Sequence, residues 1–137
     1  MQLVLDSNEY LFTFGVERKA ASVSLLERIL AAPARYQLKV SRTILEEVRR
    51  NAAPQRFREF WLFIKALGVV VDEDWEVPFE LGAKYEAVGL KPGDAFIAAY
   101  VEWTGAEYLI TENRDFLHLT ALPFRVMRAE AFLQSHR

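Results

Sequence analysis

The 137-residue chain has no cysteine and only two histidines, His118 and His136. The lack of cysteine excludes disulfides, thiolate catalysis and zinc sites that depend on cysteine. Two histidines are too few for a histidine-rich metal centre. A metal site in this chain would therefore use oxygen ligands, which hard ions such as Mg²⁺ and Mn²⁺ prefer.

The chain also has no excess of positive charge. Its formal net charge is −2, with 17 lysines and arginines against 19 aspartates and glutamates. Domains that hold nucleic acid by bulk charge usually show a basic excess. Any role with nucleic acid must therefore depend on a local patch or on bound cations.

No apolar run reaches the roughly 20 residues that a membrane span needs. The two longest runs, WLFIKALGVVV and AFIAAYVEW, contain Lys65 and Glu102. The N-terminal residues show neither the basic segment nor the cleavage site of a secretory signal. We therefore expect no membrane association and a cytoplasmic location. The length predicts a single domain over residues 1–137, and a hydrophobic fraction of 52% is sufficient for a core.

Apolar segments that read as strands alternate with segments that have a helical period. The predicted strands cover residues 2–5, 36–40, 69–72, 106–110 and, less regularly, 124–127. The predicted helices cover residues 8–14, 16–32, 41–51, 54–67, part of 74–89, 91–104 and 129–136. This alternation predicts an α/β protein with a central parallel sheet of four or five strands between two layers of helices.

Polar residues follow two of the predicted strands directly. Asp6 comes after the first strand, and Asn113 and Asp115 come shortly after the fourth. Ligands in open α/β sheets bind outside the carboxyl ends of the strands, so these residues are expected to lie on the binding edge. Taken alone, Asp6 could equally cap the next helix, and Asp115 could cap a helix or pair with Arg114.

Two helices carry an acid where it can face the same edge. Glu47 lies on the border of the apolar face of its helix, whereas Glu46 points away from that face. Asp94 shares a stripe with Ile97 and Val101 in the first turn of its helix. Each acid alone has a simpler explanation, since Glu47 could be solvated and Asp94 could be an N-cap.

Four carboxylates gathered at one edge without a counter-charge would repel one another and raise each other's pKa values. Divalent cations remove that repulsion. A carboxylate site holding Mg²⁺ or Mn²⁺ is suited to the attack of water on a phosphodiester.

The segments DSN, SRTILEEV, GDAFIAA and YLITENRDF occur in the order found in PIN domains, and the resemblance extends from residue 3 to about residue 127. The resemblance implies a compact α/β/α fold and a metal-dependent endoribonuclease similar to the toxins of VapC-type toxin–antitoxin pairs. It also implies an RNA substrate, an antitoxin as a possible protein partner, and a homodimer.

The same resemblance assigns roles to individual residues. Asp6, Glu47 and Asp94 match the first three family acids, which bind the metal and are catalytic. The fourth position is less settled, because Asn113 stands where the family often has an acid and Asp115 follows two residues later. The resemblance implies Asp115 as the fourth catalytic and metal-binding acid, with the neutral oxygen of Asn113 as the alternative. The resemblance implies that three polar residues support the carboxylates: Asn8, Thr111 and Asn113. It also suggests three cations as contacts to the RNA backbone: Arg42, Arg49 and Lys91.

Several alternatives remain open at this point. The chain could be a non-catalytic PIN-like module that binds RNA or protein, as Asn113 favours. A phosphatase with Asp6 as nucleophile is disfavoured, because Asn8 stands where that chemistry usually has a second acid. The aromatic stripe of Phe57, Phe60 and Trp61 is either core or a partner surface. The acidic run at residues 72–74 is expected to be a solvated turn.

Overall fold

The computed structural model describes all residues, 1–137. Its centre is one sheet of five parallel strands in the order β3-β2-β1-β4-β5. The strands are β1 (Gln2–Leu5), β2 (Gln37–Ser41), β3 (Val71–Asp72), β4 (Tyr108–Ile110) and β5 (Arg125–Met127). Because all five run in the same direction, their carboxyl ends lie on one edge of the sheet.

Eight helices connect and cover the strands. They are α1 (Ser7–Phe14), α2 (Ala20–Ala31), α3 (Arg42–Asn51), α4 (Pro54–Ala66), α5 (Phe79–Ala87), α6 (Pro92–Thr104), α7 (Arg114–Leu117) and α8 (Ala129–Ser135), with a 3₁₀ turn at Asp74–Glu76. Helix α1 packs against α2, α3 and α4, whereas α5 packs against α6. The predicted α/β/α fold with a central parallel sheet is thus confirmed, with five strands.

The central strand is apolar because it is buried on both faces. Leu3, Val4 and Leu5 have no exposed surface, as expected for a strand flanked on both sides and covered by two helical layers. Phe60 on α4 is also fully buried, and Phe57 and Trp61 pack against the core. The aromatic stripe is therefore mainly core.

None of the eight helices could span a membrane, since the longest, α4 and α6, have 13 residues each.

Several element boundaries differ from the prediction by one or more residues, and two of the differences have a clear cause. Helix α2 begins at Ala20 and not at residue 16, because the backbone N–H of Lys19 donates to Phe12 O at 3.0 Å and residues 16–19 form an exposed connection. Strand β3 contains only two residues, since Val70 is 81% exposed and has left the sheet.

The expectation of a solvated turn at residues 72–74 is wrong. Asp72 accepts a hydrogen bond of 2.6 Å from the buried Tyr100 hydroxyl. Asp74 accepts from both the backbone N–H and the hydroxyl of Thr43, at 3.0 and 2.8 Å. These acids join the end of β3 to α6 and to the first turn of α3, so the acidic run has a structural role.

Candidate active site

Asp6 lies at the carboxyl end of the central strand, and its backbone N–H donates to Ile110 O at 2.9 Å. It occupies the N-cap position of α1, but its side chain makes no capping hydrogen bond. The carboxylate instead accepts from the Thr111 hydroxyl at 2.8 Å, with the Ser7 hydroxyl at 3.4 Å from its other oxygen. The side chain of Asp6 is therefore directed into the site and not toward the helix.

Glu47 on α3 reaches the same place through Ser7. The Ser7 hydroxyl donates to Glu47 Oε2 at 2.6 Å and so stands between Glu47 and Asp6. Its neighbour Glu46 is turned away and forms an ion pair with Arg49. The structure therefore places Glu47, and not Glu46, beside Asp6.

Asp94 is half-buried in the first turn of α6, where Lys91 is the N-cap residue and Asp94 itself caps nothing. The side-chain amide of Asn113 is 3.5 Å from Asp94 Oδ2. Asn113 also accepts the backbone N–H of Asp115 at 2.9 Å, which starts α7. The carboxylate of Asp115 is exposed and affects Asp94 through its charge.

These residues form one continuous series of polar contacts between three acids. It runs from Glu47 through Ser7, Asp6, Thr111 and Asn113 to Asp94, since the Asn113 backbone N–H donates to the Thr111 hydroxyl at 3.0 Å. No lysine, arginine or histidine forms an ion pair with any of these carboxylates. None of the three acids is therefore held by an ion pair, although the charge of Lys91 acts on Asp94.

The electrostatics of the site follow from this arrangement. Burial, reinforced by the charge of Glu47, raises the pKa of Asp6 to about 6 against the opposing hydrogen bond from Thr111. Burial also raises the pKa of Asp94, with a further contribution from Asp115. Both carboxylates are therefore harder to ionise than an ordinary aspartate. This is the expected result when like charges are buried close together in a region of low dielectric constant.

The donor set fits a hard divalent cation, because every side chain in the chain of contacts offers oxygen and none offers sulfur or imidazole. No three acidic side chains come close enough together to share one ion directly. Mg²⁺ usually keeps several of its waters and binds proteins through one or two carboxylates. Asp6 with either Glu47 or Asp94 is consistent with that mode of binding.

The three cations predicted to contact RNA differ in whether they are already paired with a carboxylate. Arg42 is paired with Glu73 at 2.7 Å and Arg49 is paired with Glu46. Lys91 is exposed, and its positive charge acts to lower the pKa of Asp94. Asn8 is partly buried in α1 and makes no side-chain hydrogen bond.

Sequence reasoning missed an acid pair next to the site. Glu9 on α1 is fully buried, and Ser22 donates to its Oε2 at 2.5 Å. Burial, with the neighbouring Glu112 acting in the same direction, raises the pKa of Glu9 well above its ordinary value. The Oε1 atom of Glu9 has no hydrogen-bond partner. The only sequence signal was the spacing of Glu9 three residues after Asp6.

Comparisons with known proteins agree with this fold. The family model of the PIN domain matches residues 3–122. The chain therefore belongs to the PIN-domain family. A search of curated proteins finds no match.

Among solved structures, the chain is similar to one from VapBC2 of Rickettsia felis, which was solved bound to a DNA fragment from its promoter. The TM-score is 0.65 and the identity 17%, over 92% of this chain and 97% of the other. At this identity the likeness concerns the fold alone.

Proposed function

We propose that this chain, acting as one domain, is a Mg²⁺- or Mn²⁺-dependent endoribonuclease that hydrolyses RNA phosphodiester bonds and is the toxin of a toxin–antitoxin pair. The proposal depends mainly on the series of polar contacts that brings Glu47, Asp6 and Asp94 together, with none of the three in an ion pair. Membership of the PIN-domain family supports a nuclease of this kind.

In this proposal Asp6, Glu47 and Asp94 would hold the metal between them, with at most two of the carboxylates as direct ligands and the third acting through the waters that Mg²⁺ keeps. A divalent cation bound there supplies a water of lowered pKa and neutralises charge on the scissile phosphate. Thr111 fixes the Asp6 carboxylate by donating to one of its oxygens, and Ser7, which donates to Glu47, lies 3.4 Å from the other. Such supporting hydrogen bonds orient a ligand and commonly affect metal affinity by about 10–100-fold.

Asn113 and Asp115 complete the side of the site next to Asp94. Asn113 contacts Asp94 and also fixes the start of α7, so it positions the carboxylate of Asp115. Asp115 is exposed to solvent beside Asp94, where it is suited to orient the attacking water. In this proposal Asn113 positions Asp115, and Asp115 contributes its negative charge to the site.

Cleavage of a labelled single-stranded RNA by purified protein tests the proposal. We expect cleavage with Mg²⁺ or Mn²⁺ and none with chelator. Asp6→Asn and Asp94→Asn should each lower the rate by more than about 100-fold, beyond the usual effect of a supporting residue. Glu86→Gln, which removes an exposed acid on α5, is the matched control. Cleavage that persists in the Asp6→Asn/Asp94→Asn double variant would contradict the proposal.

A non-catalytic RNA- or protein-binding module is the second candidate, favoured by the neutral Asn113 and by the separation of the acids. Calorimetric titration with Mn²⁺ distinguishes the two functions. Heat of binding that disappears in Asp6→Asn supports the nuclease. RNA binding with no heat from Mn²⁺ at millimolar concentration supports the non-catalytic module.

We further propose an antitoxin and a second copy of this chain as protein partners in the cytoplasm, where the RNA substrate lies. A groove between α2 and α4 exposes Leu30 and Leu62, which suits an apolar helix of an antitoxin. Trp75 and Phe79 are more than 80% exposed and suit contact between two copies. Light scattering of Trp75→Ala and Leu62→Ala, alone and with the protein encoded upstream, tests the two surfaces separately.

A further inference from the structure

The two outer strands of the sheet are followed by side chains of opposite charge at the carboxyl edge. Asp6 follows the central strand β1, so the β2 and β3 ends lie on one side of it and the β4 and β5 ends on the other. Acids follow β3, at Asp72, Glu73 and Asp74. A cation, Arg128, directly follows β5.

Two arginines on the β3 side are already paired with carboxylates. Arg42, at the start of α3, is paired with Glu73, and Arg49 is paired with Glu46 on its own helix. A phosphate on this side would have to displace a carboxylate from each arginine and would meet further acids. The two arginines predicted from the sequence are thus poorly placed to hold a polyanion.

The cations on the β5 side are free. Arg128 and Lys19 are both exposed, and neither forms an ion pair. Arg128 is held at this edge because it precedes α8, where the backbone N–H of Ala129 donates to Glu112 at 3.1 Å. Lys19 precedes α2, and its ammonium lies 4.2 Å from the centre of the Phe12 ring.

Glu112 brings the two cations to the same place. Lys19 is one turn before Ser22, which donates to Glu9, and Glu9 in turn contacts Glu112. Burial acts to raise the pKa of Glu112, but the neighbouring Glu9 carboxyl, the hydrogen bond from the Ala129 N–H and the charges of Arg128 and Lys19 lower it overall. Two positive charges without an ion pair therefore lie near one carboxylate that already accepts a hydrogen bond.

We propose that Lys19 and Arg128 bind the RNA backbone and that the strand crosses the β5 side of the edge, away from the acids that follow β3. This inference rests on the proposed function and identifies where its substrate lies. Strands in a sheet are about 4.8 Å apart, so the backbone of Arg128 starts roughly 10 Å from Asp6. At that separation the two cations contact phosphates next to the scissile one.

The salt dependence of RNA binding tests this path. Binding of a short fluorescent single-stranded RNA is measured by anisotropy with Mg²⁺ in the Asp6→Asn background, where cleavage is blocked and the cations are intact. For single strands the slope of log K against log salt is about −0.7 for each phosphate contact. We expect Lys19→Ala/Arg128→Ala to make that slope less steep by about 1.4 and to weaken binding.

Lys65→Ala/Arg125→Ala is the matched control, because it removes one lysine and one arginine far from the carboxyl edge: Lys65 is on α4, and Arg125 is at the opposite end of β5 from Arg128. Its slope should equal that of the parent. An unchanged slope in Lys19→Ala/Arg128→Ala would overturn the path, even if the wild-type protein cleaves RNA. Polyglutamate serves as a mimic of an acidic protein. If Lys19→Ala/Arg128→Ala loses binding to polyglutamate but binds RNA like the parent, the two cations bind an acidic protein and the proposed path is overturned. A parent with no salt-dependent RNA binding would overturn the path and count against RNA as the substrate.

Discussion

Replacing Asp6 by asparagine should make the metal-free protein more stable at neutral pH, because the native carboxylate is buried among acids. Asp6 is 6% exposed and its pKa is raised to about 6 from an ordinary 3.8. At about 1.4 kcal/mol for each pH unit, this difference corresponds to about 3 kcal/mol of the free energy of unfolding. Solvent screening reduces this value only slightly, because the side chain is so deeply buried.

The sign follows from proton binding. Below pH 3.8 the carboxyl of Asp6 is protonated in both the folded and the unfolded chain, so ionisation costs nothing. Between pH 3.8 and about 6 the unfolded chain releases the proton first, and the free energy of unfolding falls as the pH rises. Above about pH 6 the whole cost is present. The asparagine variant has no titrating proton at this position, so its free energy of unfolding does not fall for this reason.

The assay is urea unfolding of both proteins in EDTA from about pH 4 to pH 8. We expect the advantage of Asp6→Asn over wild type to grow by up to about 3 kcal/mol across this range. The amide introduced by Asp6→Asn also changes the contacts with Ser7 and Thr111. That effect does not vary with pH, so it does not contribute to the change in the stability difference between about pH 4 and pH 8. Glu86→Gln should show no comparable change. A difference between Asp6→Asn and wild type that does not vary with pH would refute the burial argument.

Two further predictions concern stability, measured by urea unfolding at neutral pH. Asp74→Ala should cost about 1–2 kcal/mol, because it removes both hydrogen bonds from Thr43 at the start of α3, whereas the exposed Glu76→Ala should cost little. Gly105→Ala should cost about 1–2 kcal/mol, because φ is +74° there and an alanine is strained although the space is open. Gly82→Ala, in an ordinary helical position of α5, should stabilise instead. Equal effects of the two glycine substitutions would contradict the backbone argument.

The sequence was sufficient for the fold class because periodicity records burial. QLVL is apolar throughout because β1 is covered on both faces, and Pro92 and Gly105 bracket α6 as its sequence predicts. Strand β3 was predicted too long, because VVV has high strand propensity but only Val71 has a neighbour to pair with, Val40 of β2. Propensity does not specify where a partner strand ends.

For the site, the sequence determined which acids stand at the ends of strands and on inward helix faces, since those positions depend on local geometry alone. The roles of Asp6, Glu47, Asp94 and Asp115 stay predictions. Only the tertiary structure decided what each side chain contacts: that Ser7 stands between Asp6 and Glu47, and that Asn113 contacts Asp94.

Tertiary structure also decided which charges are free. Arg42 and Lys19 look alike in the sequence, yet one is paired with Glu73, which is 31 residues away, and the other has no ion pair. The fully buried Glu9 reads as an ordinary helix acid until α2 and the end of β4 enclose it. Local pattern specifies a residue's backbone position, whereas pairing and burial depend on distant segments that only folding brings into contact.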